Sequence, residues 1–511
     1  MHLPTRAGSR RRTRRALLAA ALPAALAATA LPAAAQAADV TAVGTEIVVD
    51  DNTGRFGQGE ADNRLITEAL PSGELRLVDR VPLVSRTATC VAVSSFELRC
   101  IRPSTSPISQ LVYRARGGDD QLRPAGSLPI RFEGGSGHDL YVGARSGAGT
   151  RVEFLGGGDD FGDLAHYTNA RTGVDVSKDD AANDGRPGLD RDNIRADVDV
   201  VTGTHFDDRL AGSPAVVAEE FRPLGGDDVV LSTAGVFTSV DMGAAKDGAD
   251  TIVRAAEVSY AKRANPIRVG VGLDGGDDGE AGEGDELVDV GIVRGGSGAD
   301  TLFAASRAGG ITLDGGAGDD KLIGTEQGDR LTGGLDSDVV FGDSGSDTLI
   351  TNDGDVDRVL CGGGFADVAR TDTAELEISG CETVEKVGKL ALAPKALTAE
   401  AGEIARLRLS WTHPQSWRKL RAITLKLRTR DRVVGRVVIR PRSGRIADAR
   451  AVEVVRKRSH LARKGKTVTA RLAVRLADSL AGQELTADVE ATDTRGRRQL
   501  ERKAGSIRVG K

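Results

Sequence analysis

Large rings are scarce in this chain. Its 11 Phe, 4 Tyr and 2 Trp make up 3% of 511 residues. So few big side chains leave thin cores and little material for a deep apolar catalytic pocket. Histidine is rarer still. The six (His2, His138, His166, His205, His413, His460) lie far apart, and no H-E-x-x-H occurs, which excludes a zinc protease of that type. The four cysteines form no C-x-x-C and have no histidine cluster nearby, so the spacing does not support a structural zinc site. After residue 37 no stretch approaches the ~18 apolar residues a spanning helix needs. No transmembrane anchor is expected.

What is present is glycine, 65 of 511 residues, and charge that divides along the chain. Residues 38–385 hold 31 basic and 63 acidic residues, a net of −32, and residues 386–511 hold 32 basic and 11 acidic, a net of +21. The acidic part repels itself unless cations neutralise it. The length suits about three domains.

The most regular stretch is four nine-residue units in register: Gly315–Ile323, Gly324–Thr332, Gly333–Phe341 and Gly342–Ile350. Each opens with glycine, has Asp at its sixth place (Asp320, Asp329, Asp338, Asp347) and an aliphatic residue at its eighth (Leu322, Leu331, Val340, Leu349). Glycine permits a sharp turn that brings carbonyls together, and Asp adds the hard oxygen that calcium favours. One unit cannot bury its aliphatic residue; stacked units can, which predicts a solenoid.

These units resemble the hemolysin-type calcium-binding nonapeptide repeat (RTX repeat, GGxGxDxUx). The resemblance implies a parallel β-roll with two units per coil and calcium between turns stacked two units apart. Gly315–Asp320 would then pair with Gly333–Asp338, and Gly324–Asp329 with Gly342–Asp347. The implied ligands are the Asp carboxylates and turn carbonyls, involving Gly315, Gly316, Gly318, Asp320, Gly324, Asp329, Gly333, Gly334, Asp336, Asp338, Gly342 and Asp347. Full or partial matches add Asp139 (Gly134–Val142), Asp208 (Gly203–Ala211), Asp300 (Gly295–Phe303) and Asp357 (Asn352–Leu360). Further Gly/Asp turns stand at Gly117–Asp120, Gly156–Asp160, Gly225–Asp228, Asp247–Ile252 and Gly275–Asp278, irregularly spaced.

Two look-alikes fail. Asp353, Asp355 and Asp357 begin like an EF-hand, but Arg358 and Gly364 occupy the places that need glycine and glutamate. Gly342-Asp343-Ser344-Gly345 mimics a serine-protease segment yet lies in repeat register, and a triad would also need a positioned histidine and carboxylate.

The whole chain therefore reads as all-β, an irregular parallel β-roll of RTX type flanked by two β units. Residues 1–37 carry six arginines, an Ala/Leu-rich stretch and Ala35-Gln36-Ala37, which suits a signal peptide. Thr13–Leu18 resembles a twin-arginine export motif. An N-terminal β module spans 38–115, the repeat roll 116–387, and a basic immunoglobulin-like sandwich 388–511, where Trp411 and Trp417 fit a core better than a sugar platform. Spacing favours disulfides Cys90–Cys100 and Cys361–Cys381 in an oxidising compartment. The expected protein is exported, non-catalytic and calcium-stabilised, structural or adhesive, free or at the cell surface. Its other partners would be cell-wall polymer or acidic polysaccharide, attracted to the basic end, rather than nucleic acid. The competing readings are a polysaccharide-modifying enzyme with a groove in the roll and a glycan-binding C-terminal sandwich.

Overall fold

The computed structural model describes residues 38–510, apart from 52–61, 71, 73, 102–105, 146, 148, 158–161, 274–277, 306–308, 354, 373–374, 387, 414, 430–431 and 495–497. The expected signal peptide and parts of the Gly156–Asp160 and Gly275–Asp278 turns lie outside the described residues. The described chain is all-β, with strands joined by turns and a few short 3-10 segments. No described helix is long and apolar enough to cross a membrane.

The local rule is simple. An Asp ends a turn, and the second residue after it is aliphatic and points inward. In Lys321–Ile323 the lysine is exposed while Leu322 is fully buried. Successive turns repeat this with Leu331, Val340, Leu349 and Val359, all at 0% exposure. Three-residue strands expose one inward side chain each, so a core exists only when coils stack.

They stack in parallel. Leu322 pairs with Val340, and Leu331 with Leu349, 18 residues on, so two units make one coil. One face is an unbroken parallel ladder running from Gln121–Ala125 through Leu164–His166, Phe237–Asp241 and Thr312–Ala317 to Thr383–Lys386. The second face comes in three separate sheets. The first includes Glu46–Asp51 and Val152–Leu155, the second runs from Asp175–Ser177 to Glu286–Val288, and the third from Ile267–Val271 to Glu377–Ser379. The breaks fall where longer excursions interrupt the repeat.

Residues 38–115 join this stack directly. Glu46–Asp51 pairs in parallel with Gln110–Gly117, and Arg64–Ala69 with Gln121–Ala125. Ala38, Ile47, Leu65 and Leu98 belong to the same continuous core as Leu322. The antiparallel strands Leu75–Val78, Cys90–Ser94 and Glu97–Cys100 close that end, held by the Cys90–Cys100 disulfide. The second disulfide, Cys361–Cys381, fastens the last coils, where Cys361 N–H also donates to Ser379 O. Between these ends the ring faces of Tyr113, Phe132 and Phe154 stack with centroids 5.1 and 4.9 Å apart, so three of the few aromatics form one column in the core.

From Lys389 the pattern changes to longer strands whose buried and exposed residues largely alternate. Ile404–Thr412 and Thr467–Leu476 pair antiparallel along their length. A second sheet centres on Leu420–Arg428 and Glu484–Asp493. Both sheets share a separate core that includes Trp411, Leu425 and Val489. Trp411 is fully buried as expected, whereas Trp417 is half-buried, with Arg418 and Arg463 over its ring at 5.0 and 5.5 Å.

Candidate metal centre

Each strand entry places its Asp at the same point of the turn, and stacking aligns these Asp residues in columns along the edges of the coil. In every column one carboxylate oxygen accepts the backbone N–H of the matching Asp in the preceding coil. Asp300 N–H donates to Asp320 at 2.7 Å, Asp320 to Asp338 at 2.9 Å, and Asp338 to Asp357 at 2.9 Å. On the other edge Asp329 N–H donates to Asp347, and Asp347 to Asp367, both at 2.8 Å. Nearer the N-terminus, Asp120–Asp139–Asp163 and Asp208–Asp228–Asp250–Asp285 form matching ladders.

The structure thus stacks the turn of Asp320 on that of Asp338, and the turn of Asp329 on that of Asp347. Asp139, Asp208, Asp300 and Asp357 also stand in ladders. Asp336 does not; it is exposed and accepts the N–H of Gly318, at 3.2 Å. Gly315, Gly324, Gly333 and Gly342 each sit under their own Asp, so that an added Cβ would collide with its Oδ2. Gly316, Gly318 and Gly334 take the left-handed backbone that L side chains avoid. Ser344-Gly345, the protease-like segment, is a two-residue strand paired with Gly363-Gly364.

Reading by glycine register noted the turns that hold Asp120, Asp228 and Asp250 without assigning those residues as ligands, and missed Asp163, Asp285 and Asp367. The signal that finds them is Asp-x-aliphatic, as in Asp228-Val-Val230 and Asp250-Thr-Ile252, with the third residue at 0% exposure. Asp367 lies one place later in its unit than the pattern predicts, because the turn before it holds an extra residue.

The other carboxylate oxygen, Oδ2, decides the chemistry. In Asp120, Asp139, Asp228, Asp250, Asp320, Asp338, Asp347, Asp357 and Asp367 it is buried with no hydrogen-bond partner. Asp139, Asp320, Asp338 and Asp347 are at most 2% exposed. The oxygen faces another acceptor. Asp320 Oδ2 and Gly333 O crowd the same point beside Gly315, and Asp347 Oδ2 and Cys361 O crowd the point beside Gly342. Two acceptors facing each other without a donor repel, and a buried unpaired carboxylate is costly. Burial therefore pushes these carboxyls up, to about 9 for Asp338, about 8 for Asp139 and about 7 for Asp320 and Asp347. Neighbouring Asp residues in the ladder push the same way, while the donated N–H groups pull back.

Either a proton or a cation resolves such a site. Among the described residues no three acidic, histidine or cysteine side chains gather into a metal cluster. The stack offers something different, one carboxylate oxygen per coil together with backbone carbonyls. All of these are oxygens, which fits a hard cation of calcium type and not zinc or copper.

No family model and no curated protein matches the sequence. Among solved structures, a chain from a study of T cell specificity and activation by the bacterial superantigen toxic shock syndrome toxin-1 aligns at 8% identity. That alignment covers 24% of this chain and 98% of the other, with a TM-score of 0.16, too low to carry any argument.

Proposed function

We propose that this chain is an exported, non-catalytic repeat protein whose RTX-type β-roll is folded and held by calcium, with a basic immunoglobulin-like sandwich at its C-terminal end. The observation that carries this reading is the recurring buried Oδ2 without a donor, set against a carbonyl of the next coil. Asp320, Asp338 and Asp347, with the carbonyls of Gly333 and Cys361, are the groups that would hold the ion. Bound calcium would supply positive charge where acceptors now face one another. Two disulfides and the lack of a membrane-spanning helix among the described residues are compatible with an extracellular protein, where calcium at about 10⁻⁴–10⁻³ M is enough for modules of this kind.

The test is a calcium titration of the EDTA-treated chain from Ala38 onward, followed by far-UV circular dichroism. The expected result is a gain of β signal, absent when Asp320, Asp329, Asp338 and Asp347 are all changed to Ala. An unchanged wild-type spectrum, with no bound calcium, would remove the proposal.

A second reading concerns the basic end. Arg421, Arg440 and Arg442 line one depression with Ser443 and Thr494, and none of the three arginines forms an ion pair among the described residues. Guanidinium and hydroxyl groups together suit a carboxylate or phosphate of an anionic wall polymer. The triple change to Glu is expected to abolish retention of the full chain on an acidic polysaccharide column at low salt. Unchanged retention would assign the attraction elsewhere.

A further inference from the structure

Not every turn in the stack leaves its Asp unsatisfied, and the difference lies in the second residue of the turn. In Gly203–Asp208 and Gly324–Asp329 that residue is threonine. Thr204 N–H and Thr325 N–H each donate to Oδ2 of the turn's own Asp, and each hydroxyl donates to Oδ1, at 3.0 and 3.1 Å. The same hydroxyls accept the N–H of Phe206 and Gln327. Two turns far apart in sequence thus close their carboxylate in the same way.

In five other turns the second residue is left-handed: Gly135 (φ +109), Gly316 (+104), Gly334 (+126), Asp343 (+72) and Gly362 (+95). That conformation turns its N–H away from the carboxylate; Gly135 N–H, for instance, donates to Gly156 O. The corresponding Asp139, Asp320, Asp338, Asp347 and Asp367 are among those left with an unpartnered Oδ2. Threonine is β-branched and strained at such a φ, whereas glycine, and to a lesser degree aspartate, tolerates it. Gly296 is the informative intermediate. It is not left-handed, and its N–H donates to Asp300 Oδ2 at 2.7 Å, so a glycine can take either form. In Asn352–Asp357 the second residue is itself an acid, and both Asp353 and Asp357 keep an unpartnered oxygen.

We infer that the second residue of each turn gates cation binding: threonine locks a turn shut with its own hydrogen bonds, while a left-handed glycine or aspartate leaves it open to calcium. This rests on the calcium reading above and refines it. Complete sites lie between Gly315–Asp320 and Gly333–Asp338, and between Gly342–Asp347 and the turn of Asp367. The stacked pair Gly324–Asp329 and Gly342–Asp347 makes only half a site, because Thr325 has already satisfied Asp329. The turn at Gly295–Asp300 is convertible.

Two variants of the full exported chain test this, with bound calcium counted by equilibrium dialysis at saturating concentration. Thr325→Gly is expected to raise the count by about one ion, and Asp343→Thr, which keeps a Cβ but disfavours the left-handed form, to lower it by about one. Hydrogen exchange on the wild type adds an independent readout: calcium should protect 315–320 and 333–338 and leave 324–329 unaltered. Should Asp343→Thr fail to fold, Thr325→Gly and the exchange pattern decide. A wild type that binds calcium while either folded variant keeps the wild-type count, or while 324–329 gains protection equal to its neighbours, overturns the gate alone. A wild type that binds no calcium overturns the calcium reading and the gate together.

Discussion

In EDTA the protein is expected to lose thermal stability as the pH rises from 5 to 8, the reverse of what paired carboxylates give. Asp338, Asp139 and Asp320 have native pKa values raised to about 9, 8 and 7, chiefly by burial, above the ordinary 3.8. A carboxyl raised by folding binds its proton more tightly in the native state. Its stabilisation is complete below the ordinary value of 3.8 and is lost progressively as pH climbs towards the raised value. A carboxyl that folding raises by one pH unit contributes about 1.4 kcal/mol, and several carboxyls lie in the same ladders. A fall in Tm of at least about 10 °C between pH 5 and 8 is therefore expected without metal. Saturating calcium should invert the slope, since the ion competes with the proton for the same oxygens. Melting curves at matched ionic strength check both. A flat profile in EDTA would mean the ladders do not hold protons as their burial implies.

The second large effect concerns a cation that the chain supplies itself. Lys178 follows the strand Asp175–Ser177, and its Nζ lies 3.1 Å from Glu219 Oε2, with both side chains at 0% exposure. Glu219 also receives the hydroxyl of Thr238 at 2.9 Å. Removing one partner of such a pair leaves a buried charge alone, which costs about 3–5 kcal/mol, whereas replacing both by apolar groups is often neutral. Lys178→Met should lower stability in urea by that amount, and Lys178→Met with Glu219→Leu should recover more than half of the loss. Additive effects of the two changes would mean the pair is not coupled. Arg263 repeats the device, its guanidinium buried 2.9 Å from Glu283 and 3.0 Å from Asp247. Both cations lie in the irregular middle of the stack, where a glycine-and-aspartate count alone suggests unrelieved negative charge.

The legible part of this fold is the part with constant spacing. Between Asp320 and Asp338 the interval is 18 residues, and glycine, Asp and aliphatic positions repeat together. Elsewhere the ladder survives while the interval does not: Asp228 to Asp250 is 22 residues, and Asp250 to Asp285 is 35. A stack tolerates excursions at its turns provided each strand still returns under the last, so the Asp and the inward aliphatic stay fixed while the glycine drifts. The pairing of Val48 with Val112 is not readable either, because nothing local in Glu46–Asp51 specifies a partner that far along the chain. The threonine turns read as ordinary repeats in sequence. What separates them from the open turns is the threonine at the second place, whose N–H and hydroxyl both turn onto the Asp.

The asymmetry of the two faces has a mechanical consequence. Hydrogen bonds in a parallel stack run along its long axis, so one face forms an unbroken tether from Gln121–Ala125 to Thr383–Lys386. The opposite face is cut twice, between its three sheets. A stack built this way is expected to resist stretching along its continuous side more than along the other, and to bend first where the second face changes sheet, with the continuous face as its backing.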